Sequence, residues 1–371
     1  MPDGRRLIKY DVRSEYTRIA YDLGVPVSAT AVDARELNKR RDGYTYIIVT
    51  DTLILSRRRG MPPVFTNPFT QRATDNVTIR QEFAIPAEEL DELEYFYRIE
   101  ECTIKHVIAV ELKQNDGVRE YCKKWYGLKE TAKKDGRVGL ASLAKMMCNA
   151  AWGQLAKKSV FPECTHVYDD ASLSFKLKID YTEEETGEDC GKYNLLWGGL
   201  ITSGGRVYIM KKIREICGNR NALSTFCYTD TDSVHAYADA PSELVGDKCG
   251  QLKRELVAIE SKYIAKKVYY NAESLSPLRV EMHARGVHVG EILSALKENY
   301  GTDDPSELPL DAFADAFSVG IAYPTPALLQ VDGGRVHMYV KKMLSADGDV
   351  ITTNSRGATF AIDESGNLTE L

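Results

Sequence analysis

Two aspartates separated by one residue form the most informative pattern in this chain of 371 residues. Asp230 and Asp232 lie between two apolar, β-prone runs, 224–228 and 234–237, so the sequence predicts a β-hairpin with both acids at its tip. An extended tip would project the carboxylates together, whereas a tight turn would splay them. Either arrangement concentrates negative charge that suits magnesium, which uses one or two carboxylates plus substrate phosphates. An ordinary solvated turn is the alternative.

Two further segments carry residue types that suit nucleotide chemistry. Asp11 ends a short β-prone run and precedes a predicted helix over 14–23. A second predicted helix, over 138–158, places Lys145, Asn149 and Trp152 at i, i+4 and i+7 on one face. The cation can meet a triphosphate and the ring can stack on a base. An amphipathic helix with a solvated lysine and a core tryptophan is the alternative.

In order and spacing, these segments resemble the motifs of the family B DNA polymerases, most closely the protein-primed branch found in phages and linear plasmids. Residues 11–16, DVRSEY, are similar to the family's Asp-x-x-Ser-Leu-Tyr-Pro motif. Residues 145–153 resemble its Lys-x-x-x-Asn-Ser-x-Tyr-Gly motif, and residues 228–233 its Tyr-x-Asp-Thr-Asp-Ser motif. Residues 267–269 resemble the Lys-x-Tyr motif that touches the primer strand. The resemblance covers nearly the whole chain.

Four positions depart from the family's motifs. Glu15 stands in place of Leu, Thr17 in place of Pro, Ala150 in place of Ser and Trp152 in place of Tyr. The last three changes keep size or chemistry close. An acid at position 15 beside a triphosphate would repel it unless the side chain turns away, so Glu15 argues against full activity.

The resemblance implies an α+β fold, the right-hand polymerase fold, with an antiparallel-sheet palm, helical fingers and a small β-rich thumb. We expect the palm in 1–100 and 198–262, a priming-protein-binding insertion in 101–128, fingers helices in 129–160, a DNA-encircling β-hairpin insertion in 161–197, and the thumb-like region and C-terminal tail in 263–371.

The resemblance also implies template-directed transfer of deoxynucleotides to a primer 3′-hydroxyl by two magnesium ions about 4 Å apart. Manganese is the expected substitute. The implied catalytic residues are Asp11, Asp230, Asp232 and Lys145, with Asp11, Val12 and Asp232 as metal ligands. Asp230 would support the site electrostatically.

The implied binding residues fall into two groups. Tyr16 would pack on the sugar and exclude a ribose 2′-hydroxyl, while Lys129 and Lys145 neutralise phosphate, and Asn149 and Trp152 shape the pocket for the base pair. Residues that match positions contacting DNA in the related enzymes are Thr202, Gly205, Arg206, Lys267 and Tyr269. The glycine-rich run 199–206 is alternatively a plain turn into a helix.

The expected partners are primer-template DNA, deoxynucleoside triphosphates, a terminal priming protein and a separate exonuclease subunit. Only ten residues precede Asp11, so we expect no exonuclease domain within this chain. We expect processive synthesis. The alternatives are a catalytically impaired, polymerase-like DNA-binding scaffold and one subunit of a split replicative polymerase. A reverse transcriptase is disfavoured, because its hairpin carries Tyr-x-Asp-Asp.

Composition neither requires nor forbids this function. The net charge is −6 and the isoelectric point about 5.7, which is unusual for a nucleic-acid binder. Basic residues nevertheless cluster in 123–137 and in 206–220, and each run is either a phosphate track or a solvated helix face. The eight cysteines include no Cys-x-x-Cys, which favours reduced thiols in the cytoplasm. No apolar run of membrane-spanning length occurs, so we expect no membrane partner.

The remaining pattern predicts local elements that the structure can test. We expect a pair of strands at 44–49 and 52–55, helices at 87–98 and 115–127 around a strand at 103–112, and a strand at 264–271 on which Lys267 and Tyr269 share a face. Strands are also expected at 165–168 and 173–179, before a polar linker at 182–191. Beyond about Ala346 we expect the polar sequence to fray.

Overall fold

The structure is a computed structural model, and it describes residues 5–70, 73–155, 162–169, 174–181, 194–218, 221–275, 278–284, 289–316, 322–331, 334–344, 350–353, 359–362 and 368–370. The chain divides into two compact units. The larger unit comprises Ile8–Ser159 and Gly187–Leu256, and the smaller unit comprises Met1–Leu7, Val160–Thr186 and Val257–Leu371.

Helices and strands of the described residues are numbered in chain order. The helices are α1 (Glu15–Leu23), α2 (Ala87–Phe96), α3 (Asp116–Lys134), α4 (Val138–Leu155), α5 (Leu195–Cys217), α6 (Val289–Tyr300) and α7 (Leu310–Ala316). The strands up to residue 181 are β1 (Leu7–Val12), β2 (Val25–Val32), β3 (Tyr44–Arg57), β4 (Asn76–Ile79), β5 (Phe83–Pro86), β6 (Tyr97–Lys113), β7 (Pro162–Asp169) and β8 (Ser174–Tyr181). The later strands are β9 (Phe226–Asp230), β10 (Ser233–Ala236), β11 (Leu252–Ala258), β12 (Glu260–Ala265), β13 (Val268–Leu275), β14 (Leu278–Ala284), β15 (Ala322–Val331), β16 (Gly334–Leu344), β17 (Val350–Thr353), β18 (Thr359–Ile362) and β19 (Leu368–Glu370).

A four-stranded sheet in the order β11–β1–β10–β9 holds the predicted aspartates. The predicted hairpin is confirmed, because β9 and β10 pair antiparallel, and β10 pairs antiparallel with β1. All residues of β1 are buried except Asp11, which is partly exposed. A strand covered on both faces is buried along its length, so a partly exposed acid near its end marks the edge of the core.

The second sheet of the larger unit has the order β2–β6–β3–β4, with β5 also paired to β3. The predicted strand pair at 44–49 and 52–55 is wrong, because β3 is one continuous strand with irregular register near Thr50. The Thr50 hydroxyl donates to the carbonyls of Thr52 and Thr103, each at 2.8 Å. These bonds replace backbone hydrogen bonds between strands that the irregular register disrupts. The helices and strand expected between 87 and 127 form α2, β6 and α3, each of them near its predicted place.

Helix α5 packs closely on α1. The run 199–206 lies inside α5, so the alternative interpretation of a turn into the helix is wrong. A Cβ on Gly204 would meet Ile19 Cγ2 at 2.7 Å, and one on Gly205 would meet Tyr16 Cε1 at 2.9 Å. Glycine at these positions therefore allows the close approach of the two helices.

In the smaller unit, a three-stranded sheet β12–β13–β14 packs one face on α6 and α7. The strand predicted at 264–271 is wrong, because a turn at Lys266 and Lys267 separates β12 from β13. Lys267 adopts φ of 61°, which no strand residue has. The core on the helical face is formed by Val268, Tyr270, Met282, Ile292, Leu296, Leu308, Ala312, Phe313 and Ala316.

A larger sheet of the smaller unit has the order β19–β18–β17–β16–β15–β7–β8. The strands predicted at 165–168 and 173–179 are confirmed as β7 and β8, which pair antiparallel. The polar linker at 182–191 lies outside the described residues. The prediction of a frayed tail beyond Ala346 is wrong, because β17, β18 and β19 extend the sheet. The first two of these strands are built from apolar and β-branched residues, VITT and TFAI, which favour strands although polar residues lie between them.

Within the described part of the chain, no helix combines the length and the apolar character needed to cross a membrane.

Candidate functional site

The β9–β10 hairpin and the end of β1 bring Asp11 and Asp232 to the same end of one sheet. The hairpin closes through a tight turn in which Thr231 has φ of 56°, so the tip is not extended. Asp11 pairs in register with Ser233, and the amide of Val12 donates to the carbonyl of Asp232 at 2.8 Å. Main-chain hydrogen bonds therefore fix the separation of the two aspartates.

Negative charge is concentrated around the two carboxyls. Burial, and then Asp232 and Glu255, raises the pKa of Asp11 to about 7. Burial and the nearby Asp230 also raise the pKa of Asp232, and Lys145 opposes this shift. Asp230 itself accepts a hydrogen bond from the hydroxyl of Thr231 at 3.1 Å. A cation near Asp11 and Asp232 would favour their charged forms.

The donor set fits a hard divalent cation completed by other ligands. Among the described residues, no three or more His, Cys, Asp or Glu side chains are arranged as a metal-binding group. Asp11 and Asp232 nevertheless supply two carboxylates, and magnesium is commonly held by that number together with substrate phosphates. Asp11 and Asp232 can therefore supply some of the ligands of such an ion, and substrate phosphates or water would supply the rest.

Glu15 is the departure from the polymerase motifs whose environment is most unusual. It begins α1, its exposed fraction is 2%, and neither carboxyl oxygen has a hydrogen-bond partner. Burial, followed by Asp232 and Asp11, raises its pKa to about 9. Glu15 is therefore a neutral acid at neutral pH in the metal-free chain, and the charge expected to repel a triphosphate is absent.

Tyr16 and Trp152 form an aromatic pair beside Glu15. Their ring centroids lie 4.3 Å apart, with 33° between the planes. Gly205 of α5 contacts the other part of the Tyr16 ring, so that ring is held between two helices. Burial, and then Glu15, raises the pKa of Tyr16 to about 12, which keeps its hydroxyl protonated. The structure thus brings two predicted nucleotide-pocket residues into contact.

Helix α4 presents Lys145 and Asn149 to solvent on one side and buries Ala144 and Cys148 on the other. Lys145 acts on Asp232, because it lowers the pKa of that carboxyl. Lys145 therefore lies on the exposed face of α4, as either interpretation of this helix expects, and it is near enough to Asp232 to affect the charge of that carboxyl.

Lys129 is buried, and its environment differs from that of an exposed phosphate-binding lysine. Its ammonium donates to the hydroxyl of Ser14, and it also lies 3.3 Å from Glu130. Burial, and then Lys133, lowers its pKa. Lys133 lies one turn further along α3 with about half of its side chain exposed. Sequence reasoning missed the bond to Ser14, since the spacing of residues 14 and 129 carries no local signal.

Arg206, a predicted DNA contact, is held by an acid that the sequence analysis missed. Its Nε and Nη2 donate to the two carboxyl oxygens of Glu89 at 2.6 and 2.7 Å. The hydroxyl of Ser203 donates to the same carboxylate at 2.5 Å. Half of the Arg206 side chain remains exposed. Thr202 donates its hydroxyl to the carbonyl of Gly198 in its own helix.

The predicted primer-strand residues Lys267 and Tyr269 lie in the smaller unit. Lys267 is exposed in the β12–β13 turn, whereas Tyr269 is buried. The Tyr269 ring stacks between Tyr263 and His283, with centroid distances of 4.9 and 4.6 Å. The two residues therefore differ in surroundings, although the sequence predicts that they share a face.

No family model and no curated protein sequence matches this chain. The fold is similar to solved structures of Phi29 DNA polymerase. The ternary complex with primer-template DNA and incoming nucleotide substrates has a TM-score of 0.63 and 16% identity, over 90% of this chain and 57% of that chain. The post-translocation binary complex with primer-template DNA has a TM-score of 0.66 and 16% identity, over 91% and 57%.

A third structure, of Phi29 DNA polymerase complexed with single-stranded DNA, has a TM-score of 0.64 and 17% identity, over 94% of this chain and 57% of that chain. This chain thus spans less than two thirds of the length of those polymerase chains. At this identity the likeness concerns the fold, which combines helices with antiparallel sheets.

Proposed function

We propose that this chain is a template-directed DNA polymerase that adds deoxynucleotides to a primer 3′-hydroxyl. The observation that carries the proposal is the pair Asp11 and Asp232, placed at one end of a sheet by main-chain pairing and both raised in pKa by burial. A fold similar to that of a DNA polymerase supports it. Acids in such surroundings are candidates for a functional site.

Asp11, Asp232 and the main-chain carbonyl of Val12 would hold two magnesium ions, with manganese as the expected substitute. Such ions activate a hydroxyl nucleophile and neutralise a phosphate leaving group. Asp230 would strengthen the negative field that draws cations to this end of the sheet. The protein's part is to hold both carboxylates in place before substrate arrives, which the bond from Val12 to Asp232 supports.

The nucleotide would lie against Tyr16 and Trp152, with Asn149 completing the pocket for the base pair. A ring fixed on two sides can reject a ribose 2′-hydroxyl by contact, because it has no room to move away. Lys145 is exposed and would meet the triphosphate directly. Lys129 would do so only after its bond to Ser14 breaks.

Primer-template DNA would contact the two units through different residues. In the larger unit, Thr202 and Arg206 of α5 would contact DNA, and Glu89 fixes one edge of the Arg206 guanidinium. Gly205, the third predicted contact, is buried against Tyr16 and would act only by letting α5 approach α1. In the smaller unit, Lys267 would contact the primer strand from its turn. Tyr269 would act by supporting that turn, since its ring is buried in a stack.

The remaining expectations belong to the same proposal. We assign the palm to 1–100 and 198–262, the fingers to 129–160 and the thumb to 263–371. The β7–β8 hairpin would help enclose DNA and give processive synthesis, and 101–128 would bind a terminal priming protein. The site of action is the cytoplasm, where an exonuclease subunit is an expected partner.

Primer extension tests the proposal. The purified chain is given a labelled primer on templates with each of the four templating bases, magnesium, and one deoxynucleoside triphosphate at a time. We expect addition of the complementary nucleotide only. Duplex binding with no addition on any template, in magnesium or manganese, would contradict a polymerase and leave a DNA-binding scaffold.

A further inference from the structure

Three cations converge on the ring of Tyr21, at a place that the proposed active site does not use. Arg18 and Tyr21 are three residues apart on α1, and Arg119 and Lys123 are four apart on α3, so each pair shares a helix face. The Arg119 guanidinium lies 4.8 Å from the ring centroid, the Lys123 ammonium 5.7 Å and the Arg18 guanidinium 6.0 Å. We call these four residues the Tyr21 cluster.

The charges of the Tyr21 cluster are only partly balanced. Arg18 pairs with Asp22, with its Nε 2.6 Å from a carboxylate oxygen. Neither Arg119 nor Lys123 has a carboxylate partner within the parts of the chain that the structure describes. Two positive charges therefore lie beside one ring without a carboxylate to balance them. Because charges of the same sign repel at short range, this arrangement is unfavourable by itself.

Arg119 supplies a second, independent observation. Its Nε is buried and has no hydrogen-bond acceptor. A buried donor without an acceptor is costly, so native structures rarely keep one. The uncompensated charges of Arg119 and Lys123 would be satisfied by an anion that approaches from solvent, whereas the buried Nε holds the guanidinium away from water on its inner side.

A solvated helix face is the ordinary explanation for basic residues on α3, and Lys124 is an example of such a residue. Lys124 is exposed and lies 5.3 Å from the single ring of Trp125. The Tyr21 cluster differs, because cations from two helices share one ring and a guanidinium donor is shielded from water. Water cannot satisfy that donor as it satisfies Lys124.

We propose that the Tyr21 cluster binds a backbone phosphate of nucleic acid, separately from the aspartate site. A tetrahedral phosphate presents acceptors in several directions, so the Arg119 fork and the Lys123 ammonium can reach it together from α3. Contacts of this kind position a nucleic acid without reading its sequence. The inference rests on the proposed DNA binding and adds to it a contact with the phosphate backbone of one nucleic-acid strand.

Salt-dependent binding of labelled primer-template DNA, without nucleotide or divalent cation, tests the proposal. The double variant Arg119→Gln, Lys123→Gln is compared with the wild type and with the control Lys124→Gln. Each phosphate neutralised contributes about 0.9 to the slope of log affinity against log salt. We expect the double variant to lose about 1 from that slope and about tenfold in affinity at low salt, and the control to keep the wild-type slope.

A third variant separates the phosphate contact from loss of folding. Arg119→Lys keeps the charge and removes the fork, so we expect weaker binding with an unchanged slope and an unchanged melting temperature. A wild-type slope and affinity in the double variant would overturn the inference. Absence of DNA binding by the wild type would instead remove the proposed function.

A competition arm distinguishes phosphate from an acidic protein segment. Polyglutamate and a random-sequence oligonucleotide are each titrated against the wild type and the double variant. We expect the difference in affinity between the wild type and the double variant to be larger for the oligonucleotide than for polyglutamate. Discrimination by polyglutamate alone would overturn the phosphate assignment and point to an acidic protein partner.

Discussion

The surroundings of Asp11 in one sheet and the surroundings of Tyr269 in a second sheet differ in how buried carboxyl and amide side chains are satisfied by hydrogen bonds. In the first, Asp11 is raised in pKa to about 7, and the neighbouring Glu15 has two buried oxygens without hydrogen-bond partners. In the second, Asn271 is fully buried, yet it accepts a hydrogen bond from Tyr263 at 3.2 Å and donates one to Glu281 at 3.3 Å.

This difference separates two motif matches that look equivalent in sequence. In the second sheet the buried Asn271 is satisfied by neighbouring side chains, although the buried Oγ of Ser261 has no hydrogen-bond partner, and the aromatic stack serves packing. Buried acids with raised pKa destabilise the chain at neutral pH and are retained where a bound group favours their charged form. We therefore expect the chemistry at the first sheet and a supporting role for the second.

The largest expected effect comes from removing one carboxylate of the first sheet. Asp11→Asn or Asp232→Asn should lower single-turnover incorporation by about four orders of magnitude, because each is a central member of the proposed catalytic unit. Duplex affinity should stay within a few fold. Asp42→Asn, a change of an exposed acid in the same unit, is the control. Near-normal incorporation rates in either aspartate variant would contradict a catalytic role for the first sheet.

Tyr16 should control the choice of sugar. Tyr16→Ala removes a ring held between Trp152 and Gly205, so we expect the ratio of ribonucleotide to deoxynucleotide incorporation efficiency to rise about 10- to 100-fold. Tyr16→Phe keeps the ring and should leave the ratio near the wild-type value. A rise in Tyr16→Phe, or none in Tyr16→Ala, would show that another group acts on the sugar.

Glu15 should make the metal-free chain less stable as the pH rises. Its pKa is about 9 in the folded chain against an ordinary 4.5, so the folded state holds a proton that the unfolded state has lost. Its contribution is full below pH 4.5 and declines as the pH rises toward 9. Between pH 5 and pH 8, wild type should therefore lose up to about 4 kcal/mol relative to Glu15→Gln.

Chemical denaturation in chelator measures this difference. Glu94→Gln alters an exposed acid and should follow the wild type at every pH. A wild type that gains stability relative to Glu15→Gln over the same range would mean that Glu15 is ionised in the folded chain.

The smallest effect is expected in the second sheet. Tyr269→Leu should lower the free energy of unfolding by about 1–2 kcal/mol through loss of two ring contacts. Incorporation at saturating DNA should be nearly unchanged. Tyr300→Leu alters an exposed ring in the same unit and should be close to neutral. A large loss of incorporation without loss of stability would place Tyr269 among the DNA contacts.

Features governed by local pattern could be predicted from the sequence. The hairpin between β9 and β10 and the helices α1, α3 and α4 follow from periodicity. That Asp11 and Asp232 lie at one end of a sheet is implied only by the resemblance of their motifs to those of family B polymerases. The paired strands β7 and β8 are of the same kind, because each is set by its own alternation and by a short connection.

Features set by contacts between distant segments could not. Glu15 is buried because Gly205 allows α5 to approach α1, and no local pattern in 14–23 predicts that approach. The bonds of Lys129 to Ser14 and of Arg206 to Glu89 join residues more than a hundred positions apart. The strands near the end of the chain are a different case, because VITT and TFAI carry a local β signal that the polar residues between them obscured in our prediction.

Manganese binding by the metal-free chain tests most directly whether the buried acids of the first sheet form a metal site. Titration followed by electron paramagnetic resonance, with primer-template DNA and a non-extendable primer, compares wild type with Asp11→Asn and Asp42→Asn. We predict binding that weakens from pH 8 to pH 6, as Asp11 with a pKa of about 7 takes up a proton, and that is lost in Asp11→Asn alone. Equal affinity in wild type and Asp11→Asn at both pH values would contradict the account.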